Sequence, residues 1–227
     1  MGYNNEGAAR LVFDIETAPL EDAASYLSDE PIEAPANYKD PAKIQAYIDG
    51  KRAEQLERCS LDVDLCRVVA IGMQLEGYQP VATLAQTGAD EGDVLEWFWK
   101  AAVDLQPALV GFNCLGFDLP VLLRRSLYLG VPAPVIQIDR FKHPRVTDLM
   151  DELSYQGKFK ARGLAFYCKR FGISVPDDTT GAQIGALVAA GEWGRVKGHV
   201  LADVQRTALL AARLGHFRTV SEPAGVL

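Results

Sequence analysis

The chain is short of cysteine, of positive charge and of unbroken apolar sequence. Its four cysteines, Cys59, Cys66, Cys114 and Cys168, are widely spaced and fall in no CxxC or Cys/His cluster. That argues against a disulfide framework and a structural zinc site, and for reduced, mostly buried thiols. No run approaches the roughly 18 apolar residues that cross a bilayer. The opening MGYNNEG lacks the basic start and apolar stretch of a secretion signal, so a cytoplasmic location is expected. Lys+Arg 23 against Asp+Glu 30 leaves a net charge of −7, which argues against a protein that coats nucleic acid through a broad basic surface. It leaves open a site where bound cations supply positive charge locally.

What is present is a core-forming composition, 48% hydrophobic and 23% charged, in a chain of 227 residues. One domain over 1–227 with an elaboration is the simplest organisation. Arg10 to Glu16 reads as a first strand that begins apolar and ends in two acids. A Pro-, Ala- and acid-rich stretch follows. Pro41 to Arg58, with Ile44, Tyr47, Ile48 and Leu56 at roughly helical spacing, then suggests a surface helix. Together these make an inserted, partly helical segment at about 21–64.

Cys66–Met73 and Pro80–Leu84 look like two more strands joined by a turn at Glu76–Tyr78, and Ala108–Phe112 like a buried strand. Helices are expected over Asp93–Val103, Leu119–Leu129, Arg162–Arg170, Gly181–Ala190 and Trp193–Leu214. In the second of these, Pro120 suits the first turn and Gly130 the stop. Strands first, then helix and strand alternating, predict an α/β fold with a central mixed sheet flanked by helices.

Acids stand at the ends of several of these elements. Asp14 and Glu16, two apart on a strand, point to one face of the sheet, where like charges are costly unless a cation lies between them. A solvent-facing strand end is the plainer alternative. Asp118 falls where the strand ending near Asn113 gives way to a helix; it is either a helix N-cap or a ligand-facing carboxylate outside the carboxyl end of a strand. His199 and Asp203, four apart on a helix whose buried stripe runs through Val196, Val200 and Val204, border the core; an ordinary surface ion pair is the alternative. His143 and His216 have no comparable acidic setting and read as surface or packing residues. As a set, four acids form a hard oxygen cage suited to Mg²⁺ or Mn²⁺. Two such ions about 4 Å apart activate water on one side of a phosphodiester and stabilise the leaving oxygen on the other. His199 is suited to take the water's proton near neutral pH.

These residues resemble the DEDD (DnaQ-like) 3′-5′ exonucleases. Phe13-Asp14-Ile15-Glu16-Thr17 matches their first motif, Asn113 to Asp118 the second (Asn-x-x-x-Phe-Asp), and His199 to Asp203 the third. The likeness is closest to predicted bacterial exonucleases similar to the proofreading domain of family B DNA polymerases, in which Asp-Leu-Met also occurs, here Asp148-Leu149-Met150. The resemblance implies a ribonuclease H-like fold. It also implies a first ion on Asp14, Glu16 and Asp203, a second on Asp14 and Asp118, and a substrate-facing turn shaped by Asn113 and Phe117, with Ile15 and Thr17 as further substrate contacts beside the acids. The polymerase-like branch places a Tyr four residues before the last Asp and the histidine branch places a His five before it. This chain has a His at the Tyr position.

Phosphate contacts are expected from Arg124 and Arg125, from Arg140 to Arg145 and from Lys158 to Arg162, with Lys160 central in the last. The expected substrate is a single-stranded 3′ end, with DNA favoured over RNA by the resemblance alone and nucleoside 5′-monophosphates as products. An exoribonuclease or oligoribonuclease of the same mechanism, an endonuclease on the same fold and a catalytically silent nucleic-acid-binding module are the alternatives.

Overall fold

The computed structural model describes residues 9–28, 30–136, 138 and 145–217. Five strands, β1 (Arg10–Pro19), β2 (Cys66–Leu75), β3 (Val81–Leu84), β4 (Ala108–Gly111) and β5 (Val146–Asp148), form one sheet in the order β3-β2-β1-β4-β5. β1 runs antiparallel to β2 and parallel to β4, and β5 runs parallel to β4. The mixed sheet expected from the order of elements is therefore present. The helices are α1 (Pro41–Arg58), α2 (Glu91–Asp104), α3 (Asp118–Leu129), α4 (Leu149–Leu153), α5 (Leu164–Phe171), α6 (Ile184–Ala189) and α7 (Trp193–Arg213). Among the described residues, no helix is long and apolar enough to cross a membrane.

Alternation along β1 sorts its side chains between two cores. Leu11, Phe13 and Ile15 pack with Val94, Phe98, Leu119 and Leu122 of α2 and α3. Val12 packs instead with Val204 and Ala208 of α7, and Ala18 with Val196 and Val200 of the same helix. Each fully buried Val contributes about 1.5–3 kcal/mol as an upper figure. Because the side-chain period is two, Asp14 and Glu16 share the α7 face with Val12 and Ala18. β1 also outruns its neighbour: β4 pairs only with Arg10 to Val12, so both acids lie past the carboxyl end of β4.

α7 reaches that face because β2 is notched. A Cβ on Gly72, the partner of Asp14 across the ladder, would stand 2.7 Å from Val204 Cγ2 and 3.2 Å from the Val200 carbonyl. Only glycine lets the helix settle this close.

The inserted segment behaves differently. α1 buries none of its residues. It is capped by Asp40, whose carboxylate accepts from Ala42 N–H at 3.0 Å, and carries the surface pairs Lys51–Glu54 and Arg58–Glu54. Two expected helices are trimmed: Arg162–Arg170 becomes Leu164–Phe171, and Gly181–Ala190 becomes a 3₁₀ turn followed by Ile184–Ala189. The three-residue β5 is too short to show alternation in the sequence.

A candidate active site of four carboxylates and a histidine

Asp14, Glu16, Asp118, His199 and Asp203 all line one cleft of about 870 Å³. Three separate parts of the chain deliver them. β1 supplies Asp14 and Glu16. The turn after β4 supplies Asp118, and α7 supplies His199 and Asp203 one helical turn apart.

The middle contribution depends on a tightly folded turn. Asn113 takes the left-handed conformation (φ 60°), and its N–H donates to Asp148 Oδ1 at 2.9 Å while Leu115 N–H donates to Asp148 Oδ2 at 3.0 Å. The same buried carboxylate caps α4 through Met150 N–H and Asp151 N–H. Asp148, the acid of the Asp-Leu-Met segment, is thus an internal clamp. Gly111 is required by the return of the chain, since a Cβ there would lie 2.5 Å from Cys114 Cβ. The helix that follows has Phe117 at its N-cap and Asp118 as its first residue. Asp118 therefore does not serve as the N-cap, and its side chain belongs to the cleft.

Asp14 and Glu16 are buried and crowded by neighbouring acids that oppose their ionisation. Burial, followed by the charges of Asp118, Glu16 and Asp203, pushes the Asp14 carboxyl well above the usual range. Burial and then Asp203, Asp118 and Asp177 do the same to Glu16. Asp118 is pushed up to about 7, chiefly by burial, against a lowering by backbone hydrogen bonds. Such a cluster is costly in an empty cleft and is relieved by a divalent cation. The donor set fits one: ligand atoms of Glu16, His199 and Asp203 lie within 4.8 Å of one another, and hard carboxylate oxygens suit Mg²⁺ or Mn²⁺.

His199 is 4% exposed. Its Nε2 lies 3.6 Å from Glu16 Oε1 and 3.8 Å from Asp203 Oδ2, and its Nδ1 lies 2.7 Å from Asp177 Oδ2. The carboxylate of Asp177 also accepts from Arg206 at 2.9 Å and from Thr179 N–H at 3.0 Å. Burial raises its pKa, but these bonds outweigh burial and hold the group below the ordinary carboxylate range. Arg206 bonds to Asp203 Oδ1 as well, which leaves Oδ2 turned toward His199.

Of the expected substrate contacts, Ile15, Asn113 and Phe117 line the cleft and three others do not. Thr17 lies on the opposite face of β1 and donates its hydroxyl to the Ser60 carbonyl at 2.6 Å, tethering the inserted segment. Arg124 pairs with Asp64 at 3.1 Å, and Lys160 is exposed and does not line the cleft. Arg125 is likewise no phosphate contact: it is buried and bidentate to Glu91, at 2.8 Å for each bond, because its helix face turns inward with Leu122 and Ser126. Residues 140–144, including His143, lie outside the described residues. His216 pairs with Glu152 at 2.7 Å. Among the described residues, the Lys and Arg side chains lining the cleft are Lys169 and Arg206, neither singled out in the sequence. Arg206 was within reach of helical spacing, three residues after Asp203.

The chain resembles known proteins in family and in fold. Residues 59–225 match the family described as predicted 3′-5′ exonuclease related to the exonuclease domain of PolB. No curated protein matches the chain. The fold is similar to that of the family B DNA polymerase from the hyperthermophilic archaeon Pyrobaculum calidifontis, with a TM-score of 0.62 and 21% identity over 91% of this chain. The chain spans 24% of that polymerase's length. The fold is accordingly ribonuclease H-like, as the motifs implied, and the chain belongs to the family of predicted 3′-5′ exonucleases related to the exonuclease domain of PolB.

Proposed function

We propose that the protein hydrolyses the terminal phosphodiester at the 3′ end of single-stranded nucleic acid, DNA in preference to RNA, and releases nucleoside 5′-monophosphates. The observation that carries this reading is the convergence of Asp14, Glu16, Asp118 and Asp203 on one cleft, where burial raises the carboxyls of Asp14, Glu16 and Asp118. Asp14, Glu16 and Asp203 would hold one divalent cation and Asp14 with Asp118 a second. Bound there, the pair supplies activation of a water and stabilisation of charge on the leaving 3′ oxygen.

The chain's own side chains do the rest. His199 Nε2, free of any hydrogen bond to Glu16 or Asp203 at these distances, takes a proton from the attacking water as its oxygen bonds to phosphorus. The bond between phosphorus and the 3′ oxygen breaks, and its electron pair leaves with that oxygen. Phe112 and Phe117 offer faces on which terminal bases stack, and Lys169 offers a charge to the phosphate backbone. The cleft volume lies in the roughly 300–1,000 Å³ range of small-ligand sites, which suits a chain end better than a length of duplex.

The test is digestion of 5′-labelled single-stranded DNA and RNA with Mg²⁺ or Mn²⁺. The expected result is a ladder shortened from the 3′ end, abolished by chelator and reduced about 10³-fold or more in Asp14→Ala. A stronger ladder on RNA would move the substrate to oligoribonucleotides. A ladder that persists in Asp14→Ala would overturn the site.

A further inference from the structure

We infer that Asp177 is a positioning residue for this reaction: it fixes the tautomer of His199, so that Nε2 presents a bare lone pair to the cleft. The inference rests on the hydrolytic role proposed above for His199.

Asp177 lies in the connection between α5 and α6, 22 residues before His199, and its side chain is only 4% exposed. An ionised carboxylate only accepts hydrogen bonds. The 2.7 Å approach of Nδ1 to Asp177 Oδ2 therefore requires the proton on Nδ1. The other neutral tautomer would set two lone pairs against each other at that distance. With Nδ1 protonated, the neutral ring has Nε2 as its acceptor.

The surroundings of Nε2 agree. At 3.6 Å from Glu16 and 3.8 Å from Asp203 it donates to neither carboxylate. It faces the space between them, where the attacking water belongs. Arg206 completes the arrangement. It binds Asp177, Asp203 and the Val175 carbonyl, so the buried Asp177 charge is compensated and its oxygen is held on the His199 side. His199, Asp203 and Arg206 fall at i, i+4 and i+7 on one face of α7, and the loop carrying Asp177 closes over that face. A carboxylate that orients an imidazole in this way is a general device of acid–base sites.

Nitrogen-15 correlation spectra of the histidine side chains test the claim directly. The chain has three histidines, and His199→Gln identifies the signal of His199. The wild-type protein, measured metal-free with the ring neutral, is expected to show the Nδ1–H form. In Asp177→Ala no acceptor faces Nδ1, and the Nε2–H form is expected. With single-stranded DNA and Mn²⁺, kcat in that variant should fall roughly 10²-fold with little change in KM. Asp177→Glu should recover part of the loss. Calorimetric Mn²⁺ affinity should stay within about threefold of wild type in both variants, because the four cage carboxylates remain. A wild-type His199 in the Nε2–H form, or wild-type kcat in Asp177→Ala, would overturn the assignment. If the wild-type protein degrades no nucleic acid at all, the exonuclease reading fails, while the tautomer spectra still decide whether Asp177 sets the ring.

Discussion

The two longest helices of the described residues, α7 and α1, teach opposite lessons. α7 has 21 residues and presses Val196, Val200, Val204, Ala208 and Ala211 into the sheet. α1 has 18 residues and buries none. Both show apolar residues at helical spacing, yet only in α7 does the stripe meet a surface shaped to receive it. The candidate site lies on the packed helix, where His199 Nε2 is held within 4 Å of both Glu16 and Asp203. A site that must hold carboxylates against their mutual repulsion needs a rigid element, and an exposed helix supplies none.

If the comparison is right, breaking the α7 side should be severe. The largest effect is the activity loss of Asp14→Ala given above. Next is the response of stability to pH. In the metal-free protein Asp118 keeps its proton up to about pH 7, whereas in the unfolded chain it titrates near 3.8. A raised acid pKa stabilises fully below the unfolded value and loses that contribution as pH rises through the folded one. The melting temperature of metal-free protein should therefore fall between about pH 4 and 7. Mn²⁺ prefers the ionised cage and should raise the melting temperature most at the alkaline end. Asp118→Asn should flatten the first trend and shrink the second; thermal unfolding across pH, with and without Mn²⁺, measures both.

Two glycines sharpen the contrast further. Gly72→Val puts a side chain where Val204 and Val200 already sit, and should cost about 1–3 kcal/mol in denaturant unfolding while lifting α7 from the acids. Gly50, in the exposed middle of α1, has nothing within 4 Å of an added Cβ. Gly50→Ala should stabilise the helix by about 0.5–1 kcal/mol and leave exonuclease activity unchanged. A large activity loss there would mean that α1 belongs to the site.

The same division governs what could be read in advance. Asp14, Glu16, Asp118, His199 and Asp203 were legible because each stands at a recognisable place on a strand, turn or helix, and strand alternation and helical spacing are local rules. Asp177 was not, because its contact with His199 is made by a loop folding back across 22 residues, and no periodicity marks it. Arg125 misled for a related reason. A basic side chain on a helix reads as solvent-facing until its partner is known, and Glu91 lies 34 residues away. Thr17 could have been assigned correctly: the alternation that joins Asp14 and Glu16 on one face places Thr17 on the other.

The central claim is that four carboxylates from three stretches of chain converge to hold a pair of divalent cations. Anomalous scattering from crystals soaked with Mn²⁺ and a nucleoside 5′-monophosphate tests it most directly. Two peaks about 4 Å apart, flanked by Asp14, Glu16, Asp118 and Asp203, are the predicted result. Full occupancy of Mn²⁺ elsewhere on the molecule, with this cleft empty, would contradict it.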